Sequence, residues 1–235
     1  MKITKLVLAS LITVAACSQA TATDRLIPKL EKLAARGNGE ALYHLGMAYW
    51  TGTGVKKDQR NAIDYFRRAA AAGDPLGAYK LGCLFDGQDG VMPRDAVEAL
   101  KHKKKAADAG YALAQQDVAA LYAQQGNFGT AIEWLEKAAS QGTSDALLAY
   151  SSVHNGAPGI DRDPVKTAAY FRLYLDRTEA SSEQRAWLKT FEKKLTAEQR
   201  AQSARIVAGY RPQPTALTIK ALLGVESAQI FAASH

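Results

Sequence analysis

The chain has 235 residues with a formal net charge of +7, and 47% of its residues are hydrophobic. This composition is ample for a folded core, and a mean hydropathy of −0.21 excludes a protein with several membrane-spanning segments. Alanine-rich, leucine-containing segments dominate, and alternating runs of β-branched residues are nearly absent. We therefore predict an all-α fold.

The first residues have the pattern of a secretory signal segment. Lys2 and Lys5 precede an apolar run from Leu6 to Ala16, which is too short to span a membrane as a stable helix, and small residues follow. The pattern predicts export, so we expect the mature chain to act in the periplasm.

Two processing routes are compatible with this segment. Cleavage after Ala20-Thr21-Ala22 would remove residues 1–22 and release a soluble protein. Alternatively, Val14-Ala15-Ala16-Cys17 resembles a bacterial lipobox, in which residues 1–16 are removed and Cys17 carries a lipid anchor. Both routes stay open at this point, and the lipid at Cys17 is the one membrane contact that the sequence predicts.

The body of the chain repeats itself. Leu45-Gly46 recurs as Leu81-Gly82, and each copy later has an Ala-Ala pair followed by a glycine, Gly73 or Gly110. A third and a fourth copy follow with Val118 and Tyr150 at the position of Leu45. The glycine-rich stretch "WTGTGVKKD" is therefore an element of the repeat, and it lacks the Gly-Lys-Ser/Thr ending of a phosphate-binding loop.

Each copy is predicted to form a helix, a glycine-bearing turn and a second helix. In the first copy, one apolar face comprises Ala41, Leu45, Ala48 and Tyr49. Gly52-Thr53-Gly54 supplies the turn, and Asp58 is placed to cap the second helix. A single helix pair cannot bury both of its faces, so the copies must stack into an α-solenoid.

This pattern resembles that of the Sel1-like repeat family, a relative of the tetratricopeptide repeats. The family motif, approximately A-x-x-x-L-G-x-x-Y-x-x-G-x-G-V-x-x-D, fits the first two copies closely. The resemblance implies about four helix-turn-helix repeats in an exported bacterial protein. The predicted divisions are an N-terminal capping helix at 23–38, repeats over 39–178 (39–74, 75–110, 111–142 and 143–178), and a C-terminal helical cap at 179–235.

The resemblance also implies a partner-binding groove on the first helix of each repeat. In related solenoids this face is concave and binds peptides or protein surfaces. The groove candidates are Tyr43, Met47, Trp50, Tyr79 and Asp86. The alternative is that Tyr43 and Tyr79 pack between neighbouring helices.

A basic cluster in the second copy is the second candidate site. It consists of Lys101, His102, Lys103, Lys104 and Lys105. His102 and Lys103 stand where the first copy has Tyr65 and Phe66. The cluster is interpreted either as a solvated helix face or as a patch that meets acidic protein or lipid phosphate, with a contact that salt would weaken.

Nothing in the sequence indicates catalysis, a cofactor or a metal. The four histidines lack a second histidine or a cysteine at metal-ligand spacing, and there is no G-x-S-x-G motif. Cys83 is expected to be a small packing residue. Some Sel1-like proteins with a cysteine pair in each repeat are linked to β-lactam hydrolysis, and this chain departs from that pattern.

We therefore expect a non-enzymatic periplasmic scaffold or regulator that binds a protein partner, with no nucleic acid ligand. The alternatives are an immunity protein that neutralises a type VI secretion phospholipase toxin and, less favoured, a cell-wall or β-lactam hydrolase. The sequence leaves open whether the last helix fills the groove or docks on a partner, and it does not fix the oligomeric state.

Overall fold

The computed structural model describes residues 25–235, and these residues form helices and no strands. The predicted all-α solenoid fold is confirmed. The signal segment and Cys17 lie outside the described residues.

Thirteen α-helices make up this part of the chain. In chain order they are α1 (25–34), α2 (Gly39–Thr51), α3 (Gln59–Ala71), α4 (Pro75–Phe85), α5 (Ala96–Asp108), α6 (Ala112–Gln124), α7 (Phe128–Ser140), α8 (Ser144–His154), α9 (Pro164–Leu175), α10 (Ser182–Glu192), α11 (Ala197–Gly209), α12 (Ala216–Leu223) and α13 (Val225–Ala233). A short 3₁₀ helix, Gln88–Gly90, lies between α4 and α5.

The helices belong to two compact units. The first contains the described residues up to His102 together with Lys220–His235, and the second contains Lys103–Ile219. In the first unit α2 packs on α3 and α3 on α4. In the second unit α6 packs on α7 and α8 on α9, and α9 also contacts α10 and α11.

Local sequence explains where the repeat helices begin and end. Asn38, Asp58 and Asp74 each accept a hydrogen bond from the backbone N–H three residues on, at the start of α2, α3 and α4. Gly73 and Gly110 follow α3 and α5 with φ of 86° and 93°, a left-handed conformation that only glycine adopts without strain.

The C-terminal end of the second unit has its own small core. Its buried members are Ala168, Phe171, Leu175, Leu188 and Leu195. The two helices that cover α9 are started by local capping boxes, in which Ser181 pairs with Gln184 and Thr196 with Gln199. This core buries the apolar face that the last repeat would otherwise expose.

The recurring glycines of the first helices allow close contact between helices. A Cβ atom on Gly46 would lie 2.6 Å from the ring of Phe66, and one on Gly77 would lie 2.4 Å from Cβ of Ala69. Both distances are far shorter than ordinary van der Waals contact. These glycines are therefore packing positions, and any side chain there would force the two helices apart.

Gly77→Ala is expected to lower the free energy of unfolding by about 1–3 kcal/mol, because the new methyl group overlaps Ala69. Gly129→Ala is the matched control. Gly129 is also helical and has nothing within 4 Å of a built Cβ, so alanine should raise stability by up to about 1 kcal/mol. Urea unfolding followed by circular dichroism measures both, and an unchanged Gly77→Ala variant would contradict the close approach.

Candidate partner-binding surface

The five groove candidates do not share one environment. Tyr43 and Tyr79 are buried, at 8% and 7% exposure, whereas Met47, Trp50 and Asp86 are partly exposed. The rings of Tyr43 and Trp50 lie 6.5 Å and 6.2 Å from that of Phe66 on α3. The two tyrosines therefore pack among helices, as the alternative interpretation of the sequence held.

Two of the candidates, Tyr43 and Met47, line an apolar pocket of about 110 Å³ in the first unit. We call it the repeat-1 pocket. Its other lining residues are Leu26, Ile27 and Leu30 of α1, His44, Ala48 and Thr51 of α2, Thr53 of the following turn, Gly224, and Val225 and Ala228 of α13. Trp50, Tyr79 and Asp86 are not part of this lining.

The last helices of the chain form one wall of the repeat-1 pocket. Lys220 Nζ donates to Glu40 Oε2 at 2.7 Å, and the ring of Phe231 lies 5.8 Å from that of His44. The C-terminal segment thus folds back on α2 of its own chain. This is one of the arrangements that the sequence left open.

Two acidic side chains beside this contact, Glu40 and Asp74, have shifted pKa values. Burial acts to raise the pKa of Glu40, but the hydrogen bond from Lys220 and the nearby His44 ring, whose Nε2 lies 3.6 Å from Glu40 Oε1, outweigh it and leave that pKa below its usual value. Burial raises the pKa of the neighbouring Asp74 to about 6. The polar edge of the contact therefore depends on Glu40 being ionised.

Two threonines, Thr51 and Thr53, lie at the solvent-facing mouth of the pocket. The Thr51 hydroxyl donates to the carbonyl of Met47 at 2.9 Å and lies 2.7 Å from the hydroxyl of Thr53. Thr51 is exposed, and Met47 is partly exposed. The pocket is therefore apolar inside with a few polar groups at its mouth, which is the usual character of a recognition pocket.

The second unit offers no comparable anchor on the equivalent face. The corresponding positions are Gln116, Ala120, Ala123, Leu148, Ser152 and Asn155, and all are at least partly exposed. These side chains are small or polar, apart from one leucine. Among the positions compared, aromatic side chains on this face thus occur only in the first unit.

The structure changes the interpretation of the basic cluster. Lys101 is exposed and Lys104 partly exposed, and they pair with Glu98 and Asp108 at 2.9 Å and 2.8 Å, while Lys105 is exposed. Those lysines lie on the solvated side of α5.

Lys103 and His102 lie deeper in the structure. The Lys103 side chain is only 2% exposed, and its Nζ lies 3.0 Å from Asp117 Oδ2 on α6. The His102 ring stacks on that of Phe85, with centroids 5.7 Å apart. Lys103 was wrongly assigned to a surface patch, because its position corresponds to Phe66 and is a core position in both repeats.

Two negative observations apply to residues 25–235. No group of three or more His, Cys, Asp or Glu side chains in this range is placed to hold a metal ion. No single helix in it has the length and apolarity to cross a membrane. Only the pair α12 and α13 together meets that criterion, and these two helices are bent by 110° relative to each other.

Sequence reasoning missed the pocket residues outside the repeat motif. Leu26 and Ile27 come from α1, and Val225 and Ala228 come from the last helix. The apolar spacing of "SAQIFAA" indicates that one face of α13 is buried. Nothing local specifies that α2 would be the surface it covers.

Stacked helix pairs joined by glycine turns define a repeat-scaffold class of protein. A family model described as Sel1 repeat matches residues 39–74, 75–111, 113–143 and 144–173, more than half of the chain. The chain belongs to the Sel1 repeat family. This confirms the resemblance noted in the sequence.

Solved structures share this architecture. A Sel1 repeat protein from Oxalobacter formigenes superposes with a TM-score of 0.63 at 22% identity, over 85% of each chain. The immunity protein Pa5087 from Pseudomonas aeruginosa gives a TM-score of 0.49 at 19% identity, over 86% of this chain and 84% of that one. At these identities the likeness extends to the fold alone.

One characterised sequence is also similar. The F-box protein At1g70590 of Arabidopsis thaliana is 31% identical over 96 residues, which are 41% of this chain and 25% of that protein. The match therefore spans only a quarter of the length of the relative. The fold is that of a Sel1 repeat scaffold, consistent with protein binding.

Proposed function

We propose that this protein is an exported, periplasmic scaffold or regulator that binds a protein partner through the repeat-1 pocket. The partner inserts an apolar side chain beside Tyr43 and Met47. The observation that carries this proposal is the apolar pocket of about 110 Å³, which opens beside the exposed Thr51.

The pocket has the properties of an interface hot spot. Binding energy at protein interfaces concentrates where one large side chain fills a desolvated pocket surrounded by less critical contacts. Its volume is smaller than the 150 Å³ engineered cavity that accommodates benzene, so it suits one aliphatic side chain.

The proposed mechanism involves no catalysis. Proteins built from Sel1 repeats are generally non-catalytic scaffolds. The pocket lining contains one titratable side chain besides Tyr43, namely His44, and is otherwise apolar or hydroxyl-bearing. Such a lining favours recognition of a hydrophobic side chain over acid–base or nucleophilic chemistry.

Affinity capture with a blocked pocket tests the proposal. The bait is the chain from Thr23 onward, which keeps every described residue, and it is applied to envelope extract of the source organism. Thr51→Trp places an indole at the pocket mouth, where it competes with the partner's side chain. Thr190→Trp is the matched control, because Thr190 is exposed on α10 and does not line the pocket.

We expect the wild type and Thr190→Trp to capture the same stoichiometric protein. Thr51→Trp should bind that protein at least about tenfold more weakly, since an excluded apolar side chain is worth about 1.5–3 kcal/mol. Equal capture by all three baits would reject the pocket as the binding site. Identification of the partner as a phospholipase toxin would define the scaffold as an immunity protein, and the absence of any partner would reject protein binding.

A further inference from the structure

We infer that α1 and the bend between α12 and α13 form a surface that binds anionic lipid bilayers. The first observation is the strict two-sidedness of α1. Its buried residues are Leu26, Ile27, Leu30 and Ala34. Its exposed basic residues Arg25, Lys29 and Lys32 have the i, i+4 and i+7 spacing that places them on one helix face, and the exposed Arg36 follows in the turn after the helix.

These four cations have no ion-pair partner among residues 25–235. The single acidic residue of α1, Glu31, falls outside the basic face. The cleft beside this face is lined by the four basic residues, by Pro28 and Leu33, and by His235, so no carboxylate side chain lines it.

The second observation is a concentration of exposed aliphatic side chains. Eight large hydrophobic residues are exposed in the described chain, and four of them, Leu222, Leu223, Val225 and Ile230, lie within nine consecutive positions. Leu222 is 74% exposed, the second highest value of the eight. The two helices that carry these residues, α12 and α13, meet at Gly224 with a bend of 110°. The four exposed aliphatic side chains lie on either side of this bend, and we call them the apolar apex.

The basic face and the apolar apex are neighbours. Leu26 and Ile27 of α1 line the same pocket as Gly224 and Val225 at the bend. Arg25 and Lys29 flank Leu26 and Ile27 in α1 and therefore lie in the part of the helix that is near the apex. Both surfaces belong to the same compact unit.

This combination matches the chemistry of a bilayer interface. Cations on a helix face are attracted to lipid phosphates, and adjacent aliphatic side chains enter the boundary between headgroups and acyl chains. Exposed aliphatic side chains can enter the fluid acyl region of a bilayer, which adapts to their shape. A protein partner would instead need a preformed cavity of matching shape. The uncompensated positive charge selects an anionic surface over a neutral one.

Vesicle flotation tests this inference. The chain from Thr23 onward is mixed with phosphatidylcholine vesicles that contain or lack phosphatidylglycerol. Residues 1–22 are omitted because the apolar run from Leu6 to Ala16 could itself enter lipid. Lys29→Glu/Lys32→Glu tests the basic face and Leu222→Ser tests the apex. Lys56→Glu/Lys57→Glu and Val97→Ser are matched controls at exposed positions outside this surface.

We expect binding to phosphatidylglycerol vesicles that weakens as salt is raised, and little binding to phosphatidylcholine alone. Lys29→Glu/Lys32→Glu should weaken binding by about tenfold or more, since each basic residue near an anionic surface contributes a factor of about five. Leu222→Ser should weaken it by severalfold, and both controls should bind like the wild type.

Three results would overturn the inference. They are no flotation with anionic vesicles, equal flotation with neutral and anionic vesicles, and equal losses in the test variants and their controls. All substituted side chains are exposed, so folding is expected to be preserved, and circular dichroism of each variant checks this. Because Thr51 is not substituted here, the result is independent of partner capture by the repeat-1 pocket.

Discussion

Asp117→Ala is expected to lower the free energy of unfolding by about 1.5–3 kcal/mol, because it removes a carboxylate that is hydrogen-bonded to a buried ammonium group. Lys103 is only 2% exposed, and its Nζ lies 3.0 Å from Asp117 Oδ2. A buried charge that loses one of its partners gives up part of the interaction that offsets the penalty of leaving water. Urea unfolding at neutral pH, followed by circular dichroism, measures the effect.

Two variants separate this explanation from a general loss of charge. Asp108→Ala removes the partner of Lys104, whose side chain is 42% exposed, and should change stability by less than about 1 kcal/mol. Lys103→Met combined with Asp117→Ala removes both charges and should recover most of the stability lost in the single variant. If Asp117→Ala is no more destabilising than Asp108→Ala, the pair does not stabilise the core.

Thr218→Val should destabilise the protein by about 1–3 kcal/mol, since it leaves the buried N–H of Ala112 without its partner and removes one of the two hydrogen bonds to Gln141 Oε1. The Thr218 hydroxyl accepts the backbone N–H of Ala112 at 3.0 Å and lies 2.6 Å from Gln141 Oε1, to which it donates. Valine keeps the shape of threonine and removes both hydrogen bonds.

Thr218 is part of a larger attachment of the C-terminal segment to the repeats. The Thr215 hydroxyl donates to the carbonyl of Gly110 at 2.8 Å, and the Tyr210 hydroxyl donates to the carbonyl of Ala139 at 2.5 Å. The carbonyl of Gly110 also accepts from Gln141 Nε2 at 2.8 Å. These contacts satisfy backbone groups at the ends of repeat helices, where no intrahelical partner exists.

The matched control for Thr218→Val is Thr190→Val, at an exposed position on α10. Thr190→Val should change stability by less than about 0.5 kcal/mol. The midpoint of thermal unfolding measures the change in stability. The rate of limited proteolysis after residue 209 measures how firmly the C-terminal segment is attached. A Thr218→Val variant as stable and as resistant as Thr190→Val would show that the C-terminal segment is held by other contacts.

Most of the repeat architecture could be predicted, because its determinants lie close together in the sequence. The cap at Asp58 acts on a backbone group three residues away, and the turn glycines act on their own φ angles. The recurrence of such local patterns identifies a Sel1 repeat before any long-range contact is known.

The candidate site was predicted only in part. Met47 and Tyr43 line a pocket, where Tyr43 is buried, and Tyr79 is buried without lining it; their role in binding a partner stays a prediction. Helical periodicity tells which residues share a face of a helix, and it does not tell what covers that face. Lys103 illustrates the same difficulty, because its partner Asp117 comes from the next repeat.

The sequence by itself therefore determined the all-α class, the repeated helix pairs and their turns, since these follow from periodicity, capping and glycine positions within about 36 residues, a typical repeat length. Only the tertiary structure decided where the last helix lies and hence that the repeat-1 pocket exists. That pocket needs residues of α1, α2 and α13, which are separated by some of the longest spans of the chain. Contacts of this kind depend on which apolar faces remain uncovered after the repeats have stacked, and no local pattern encodes that outcome.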